Sequence, residues 1–378
     1  MNRRAHITST NCTIVCDIFV FSDRLLTHII TDTCGTHRRA HRWCERRSSP
    51  LRVRARVRTR ATTCRYVASW LSKNLEYGVA RYLSLLGFPQ SEAVMRCVFL
   101  HAEEVIRKMR EAKYFGSTCT LVMGVSTEKS AKDAPNAGAA ASSPQDIDLK
   151  LVVGHLGEGL ALTIHRNGSL REVTEAHTPL HEAERLRVER AGGAALIRTK
   201  PGGSCLKPTE IVDHSFPPTF QPGRLGVSRC LGGMKAKMSF DPPFVLSEPE
   251  VFTIDITRST SNADRSAAGT SSSSGSAGSS ASSDAASDIY GCLVISDGVY
   301  SYKGARLNAS KLESLVKPII TGMNTKLDAL SDDGGARSLF ATAAADIKDT
   351  VIKAATQAQV KIGEGDNISV AVLMVADR

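Results

Sequence analysis

The feature that most constrains the fold of this chain is a pair of apolar runs, DLKLVVGHL at 148–156 and GLALTIHR at 159–166, joined through Gly157-Glu158-Gly159 and closed by the strong turn dipeptide Asn167-Gly168. Two such runs with so short a link read as a hairpin-type strand pair. Further strand-like runs follow the same logic: CTLVMGV at 119–125, introduced by Gly116-Ser117-Thr118, then VFTIDIT at 251–257, CLVISDGV at 292–299 and ISVAVLMV at 368–375. Helical spacing is confined to other stretches. Val67, Trp70, Leu71 and Leu75 lie on one face of a helix stopped by Gly87 and Pro89. Met95, Val98, Phe99, Ala102, Ile106 and Met109 lie on one face of a second, with Ser91 as the expected N-cap. A short charged helix is expected at 181–191, and two more near 309–317 and 337–357. Hairpin strands alternating with paired helices predict an α+β layered sandwich, two packed β-sheets flanked by helices on both outer faces, rather than a parallel βαβ sheet.

The formal net charge of +10 suggests nucleic acid or an acidic surface until its location is considered. Residues 1–65 hold 14 Arg, no Lys and four acids, so the excess sits entirely in that segment and the body from 66 onward is neutral. The run RVRARVRTR at 52–60 would carry a solid Arg face as a strand, but no aromatic residues interleave with it to stack bases, so nucleic-acid binding rests on charge alone. Three readings of 1–64 stay open: an organellar transit peptide, a zinc site from Cys34, His37, His41 and Cys44 with Cys12 and Cys16 as a further pair, or a segment unrelated to the fold. The third is carried forward, with the folded domain expected over 65–378. The Ser/Ala/Gly tract 258–288 and the stretch 125–147 are expected as flexible insertions. Cys97, Cys119, Cys205, Cys230 and Cys292 are scattered singly among apolar residues, which suits buried thiols of a reducing, cytoplasmic or nuclear, compartment. The longest apolar runs fall far short of a membrane span.

Two segments carry the candidate chemistry. In LVISDGVYSY, Asp297 sits where an apolar strand ends, with Gly298 after it; in GEGDNISVAV, Asp366-Asn367 lies in a glycine turn just before another such strand. Each alone is a plain turn with an Asx side chain. Together they resemble the late motifs of the metal-dependent protein serine/threonine phosphatases of type 2C, the PPM family. The resemblance continues upstream in order. RNGSLREVTEAHTPLHEAERLRVERAGG is similar to the family's hairpin, its Thr-x-Asp-His-x-Pro turn and its Glu-Arg…Ala-Gly-Gly helix. LGVSRCLGG at 225–233 is similar to the family's Leu-Ala-Val-Ser-Arg-Ala-Leu-Gly-Asp, and Gly116-Ser117-Thr118 to the opening of another family strand. The resemblance implies an α-β-β-α sandwich, a phosphoprotein substrate or regulatory protein partner, and Mg or Mn held by Asp297 and Asp366, with the Gly298 backbone adjacent.

The departures are as informative. The family's Asp-Gly-His-Gly-Gly motif is expected near 50–64, where this chain has SPLRVRARVRTRATTC. Its Gly-Asp-Ser-Arg is here Gly157-Glu158-Gly159-Leu160, leaving Glu158 as a substitute for an outer metal ligand at best. Ala176, Gly233 and Ser301 stand where the family carries aspartates. A two-ion phosphatase site needs ions about 3.5–4 Å apart, a spacing that a bridging carboxylate enforces. Asp297 and Asp366 are expected to hold one ion at most, so the chain reads as an impaired phosphatase or an inactive pseudophosphatase serving as a regulatory or binding module.

Overall fold

The computed structural model describes residues 12–17, 50–87, 90–110, 112, 116–128, 147–196, 219–221, 225–238, 241–256, 289–300, 307–330, 334–362 and 368–375. In chain order its elements are strand β1 (Cys12–Asp17), helices α1 (Pro50–Leu86) and α2 (Ser91–Arg107), and strands β2 (Gly116–Glu128), β3 (Ile147–Leu156), β4 (Leu160–His165) and β5 (Leu170–Glu172). Helix α3 (Glu182–Arg190), strands β6 (Ala194–Leu196), β7 (Thr219–Gln221) and β8 (Leu231–Gly232) and helix α4 (Met234–Lys237) follow. Strands β9 (Glu250–Ile256) and β10 (Ile289–Ile295), helices α5 (Ala309–Asp328) and α6 (Gly334–Ile362) and strand β11 (Val370–Met374) complete it.

Two sheets form the centre. One runs β1-β2-β3-β9, with β8 also paired to β2; the other runs β11-β10-β4-β5. The strand pair expected from 148–156 and 159–166 therefore does not form: β3 and β4 lie in different sheets, because the Gly157 turn carries the chain from one sheet to the other, and each strand pairs elsewhere. Period-2 alternation sorts their side chains into layers. Leu151 and Val153 of β3 meet Ala161, Cys292, Val294 and Leu373 of the other sheet, while Val152 and Leu156 turn outward against the first helix pair. On that outer face lie Leu71 and Leu75 of α1 and Met95, Val98, Phe99 and Ile106 of α2, all essentially inaccessible. On the opposite outer face α5 and α6 press Val316, Ile320, Ile347 and Val351 against Leu162, Leu293, Ile295 and Val372. Each such side chain contributes about 1.5–3 kcal/mol by leaving water, so the layers hold one another. The predicted sandwich is therefore present: two sheets with helices on both outer faces.

Several local expectations are corrected. Ser91 is the first helical residue of α2 rather than its cap; the N-cap is Gln90, which makes no side-chain cap bond, and the Gln90 N–H turns back to the Gly87 carbonyl at 3.3 Å. Helix α5 does not end near Pro318 but runs on to Asp328. The missing Pro N–H is outweighed by the buried stripe Leu312, Val316, Ile320 and Met323, and Asn308 caps the helix through Oδ1 to the Lys311 N–H at 2.9 Å. Two parts of the segment 1–64 have regular backbone. Cys12–Asp17 pairs in parallel with β2, from Cys12 opposite Ser117 to Asp17 opposite Val122, and the run 52–60 lies within α1 rather than in a strand. The proposed zinc ligands Cys34, His37, His41 and Cys44 lie outside the described residues, as do the tract 258–288 and most of 125–147. Cys119, Cys230 and Cys292 are free, buried thiols and Cys97 is partly exposed. No helix among the described residues is long and apolar enough to cross a membrane.

Candidate functional site

Strand register gathers the candidate residues at one end of the sandwich. Ile295, the last residue of β10, lies opposite Leu160 at the start of β4 and opposite Val370 at the start of β11. The chain leaving β10 at Ser296-Asp297 thus emerges beside the Gly157–Gly159 turn and beside the segment entering β11. Ser296 fastens that junction: its N–H donates to the Ser369 carbonyl and its Oγ accepts from the Ser369 N–H, both at 3.0 Å. Asp297 is partly buried and its Oδ1 accepts from the Gly298 N–H at 3.0 Å, while the Gly298 carbonyl accepts from Gln359 Nε2 at 2.8 Å. Both backbone groups of Gly298 are therefore engaged. Asp366 and Ser301 lie outside the described residues.

The turn bearing Glu158 is built on Gly157, whose φ of +109° belongs to the region that L side chains avoid; a Cβ there would lie 2.1 Å from Thr118 Cγ2. His177 clamps this turn from the other side. Its backbone N–H donates to the Gly157 carbonyl at 2.7 Å, and the Gly157 N–H donates to His177 Nδ1 at 2.9 Å. An Nδ1 that accepts leaves the proton of the neutral ring on Nε2. That Nε2 faces Glu250 Oε2 at 3.3 Å, a close contact that is not aligned as a hydrogen bond.

A buried charge network starts at this point. Arg229 Nη2 bridges Glu250 Oε1 at 2.9 Å and Glu184 Oε1 at 2.5 Å. Arg187 holds the other Glu184 oxygen at 2.8 Å, and the Ser228 hydroxyl donates to the same oxygen. Burial alone would push the Glu184 carboxyl up, but the bonds from Arg187, Arg229 and Ser228 outweigh it and hold the group far below the usual carboxylate range. Glu250 is lowered first by the His177 N–H facing it, then, against burial, by His177 and Arg229. His155 stacks on His177 with ring centroids 4.8 Å apart, and its Nδ1 lies 2.9 Å from Thr120 Oγ1. Burial first, and the neighbouring His177 second, lower the His155 pKa from 6.5 to about 3.

His177, Glu184 and Glu250 present ligand-type atoms within 4.8 Å of one another, the one such trio among the described residues, and neither Asp297 nor Glu158 belongs to it. Its chemistry opposes a cation. Two guanidinium groups already occupy the carboxylate oxygens and balance their charge, and the His177 Nε2 that faces Glu250 carries a proton as long as Nδ1 accepts from Gly157. The trio is an ion-pair lock between α3, the approach to β8, β9 and the Gly157 turn. At the other cluster, Asp297 offers one carboxylate whose Oδ1 accepts from the Gly298 N–H, the kind of oxygen donor a hydrated magnesium-like ion takes. Sequence reasoning reached Glu184 and His177 as motif positions but missed the lock. The spacing of Glu184 and Arg187 at i, i+3 was its only local signal.

Residues 65–262, just over half of the chain, match the family model for Protein phosphatase 2C. No curated protein matches. Among solved structures, a sex determining protein of C. elegans is 17% identical, with a TM-score of 0.45 over 81% of this chain and 52% of that one, so the chain spans about half of its length. A phosphatase from Toxoplasma gondii is 19% identical, with a TM-score of 0.44 over 82% and 81% of the two chains. A serine/threonine phosphatase of Mycobacterium tuberculosis is 13% identical, with a TM-score of 0.35 over 81% and 83%.

Proposed function

Because the chain belongs to the protein phosphatase 2C family, we propose that it is a metal-poor member of it, engaging phosphoprotein or a regulatory protein partner while hydrolysing phosphoserine and phosphothreonine at a rate near background. The observation that carries this reading is that strand register puts Asp297 at the end of the sandwich where the Glu158 turn lies, while the trio of metal-capable side chains found among the described residues, His177, Glu184 and Glu250, includes neither of them. Support comes also from Ala176, buried at the turn where the family carries a carboxylate, and from Gly233, which starts α4 in a left-handed conformation with no side chain to offer.

Asp297, together with Asp366, would hold a single Mg or Mn ion; in this family such ions lower the pKa of a bound water and hold it in line with phosphorus. The chain's own residues do the rest. Ser296 and Gly298 fix the backbone on either side of Asp297, and His177 fixes the turn that presents Glu158.

Manganese titration by calorimetry, run with phosphopeptide hydrolysis on the same preparation of wild type and Asp297→Asn, tests the proposal. At most one ion should bind, Asp297→Asn should remove it, and phosphate release should match buffer in both. Robust manganese-dependent turnover that Asp297→Asn eliminates would overturn the reading.

A further inference from the structure

Helix α6 buries an amide that packing alone does not explain. Phe340, Ala344, Ile347, Val351 and Ala355 form the inner stripe of α6 against the second sheet, and Gln359 continues that stripe at the next i+4 position. It is 6% exposed. A buried amide costs stability unless its hydrogen bonds are replaced, so an apolar residue would be the cheaper way to end the stripe. Gln359 instead spans 61 residues of sequence to give its Nε2–H to the Gly298 carbonyl at 2.8 Å.

That bond lands next to Asp297. On the preceding side, Ser296 is pinned to Ser369 by two bonds of 3.0 Å; on the following side, the Gly298–Val299 peptide is pinned by Gln359. Asp297 is the residue between the two fixed points, and its Oδ1 is further oriented by the Gly298 N–H at 3.0 Å. With backbone fixed on both sides, the carboxylate has little freedom to choose its direction. Outer partners of this kind set the aim of a ligand, and their loss costs roughly 10–100-fold in metal affinity.

We propose that Gln359 is a positioning residue for Asp297, holding the Gly298–Val299 peptide so that the Asp297 carboxylate is presented ready-oriented to a hydrated divalent cation. This rests on the reading of Asp297 as a cation ligand, so the experiment separates the two claims. Full-length wild type, Asp297→Asn, Gln359→Met and Val351→Ala are titrated with manganese by electron paramagnetic resonance. Hydrogen exchange of the Gly298 amide is followed in the absence of metal. Met keeps the length and volume of Gln but cannot donate, and Val351→Ala supplies a comparable loss of stability elsewhere on the same helix face.

The expected result is that Gln359→Met weakens manganese binding about tenfold or more and speeds Gly298 amide exchange, while Val351→Ala does neither. Wild-type affinity and wild-type Gly298 exchange in Gln359→Met would overturn the inference, as would equal weakening in Val351→Ala. If Asp297→Asn leaves manganese binding unchanged, the ligand reading fails by itself. The Gly298 exchange rate in Gln359→Met then decides alone whether Gln359 sets this turn.

Discussion

Acidification should unload stability through one buried ring, His155. Its neutral form is held among Thr120, His177 and the inner faces of the sheets, and its pKa falls from 6.5 to about 3 because burial, and then His177, penalise the charged form. Between those two values the unfolded chain binds a proton that the folded chain refuses, so stability rises with pH across that window. The contribution is complete above 6.5 and is lost progressively as pH falls toward 3. At about 1.4 kcal/mol per pH unit, lowering pH from 7 to 5 should remove about 2 kcal/mol. Urea unfolding of wild type and His155→Gln at pH 7, 6 and 5 isolates this contribution, because the other titrating groups are common to both chains. Gln cannot titrate. The two stabilities should converge, or cross, by about 2 kcal/mol over that range. Parallel pH profiles, agreeing within about 0.5 kcal/mol after a constant offset, would refute the assignment of the slope to His155.

Glu184→Gln should cost about 3 kcal/mol, because it leaves two largely buried guanidinium groups with one carboxylate fewer, although Arg229 keeps Glu250 and Arg187 keeps the Phe244 carbonyl; a loss below about 1 kcal/mol in denaturant unfolding would contradict the lock. Gly157→Ala places a Cβ 2.1 Å from Thr118 Cγ2 at a φ of +109° and should destabilise by more than about 3 kcal/mol, read as a large fall in thermal midpoint.

The layered architecture was legible because each layer leaves a periodic trace. The i, i+3, i+4, i+7 stripe of α2 and the fully buried run of β4 can be assigned without knowing what they pack against. The end of α5 was not, because Pro318 is a local stop signal that tertiary packing of Ile320 and Met323 overrides. At the candidate site, the sequence marks Asp297 as a carboxylate following an apolar strand, and the structure keeps it just beyond the end of β10. Gln359 and Glu250 left no local signal: each acts on a partner 61 or 73 residues away, and one polar residue in a helix or at a strand start reads as solvated surface. The Arg229 bridge was invisible for the same reason, since its two carboxylates come from different elements.

The central place of β10 in the second sheet also shapes how the chain can be made. All six residues of β4 are buried in the finished molecule, yet apart from the three-residue β5 its sheet partner is β10, which follows about 120 residues later. At roughly 5–20 residues per second of synthesis, the β4 edge waits about 6–25 s for that partner. During that interval the first sheet and its helices can close while LALTIH stands as an unpaired, mostly apolar edge, the kind of segment that chaperones hold and that drives nascent chains together. A β10 that arrives late or truncated leaves that edge open for good, so loss of the C-terminal third should appear as aggregation rather than as a smaller soluble domain.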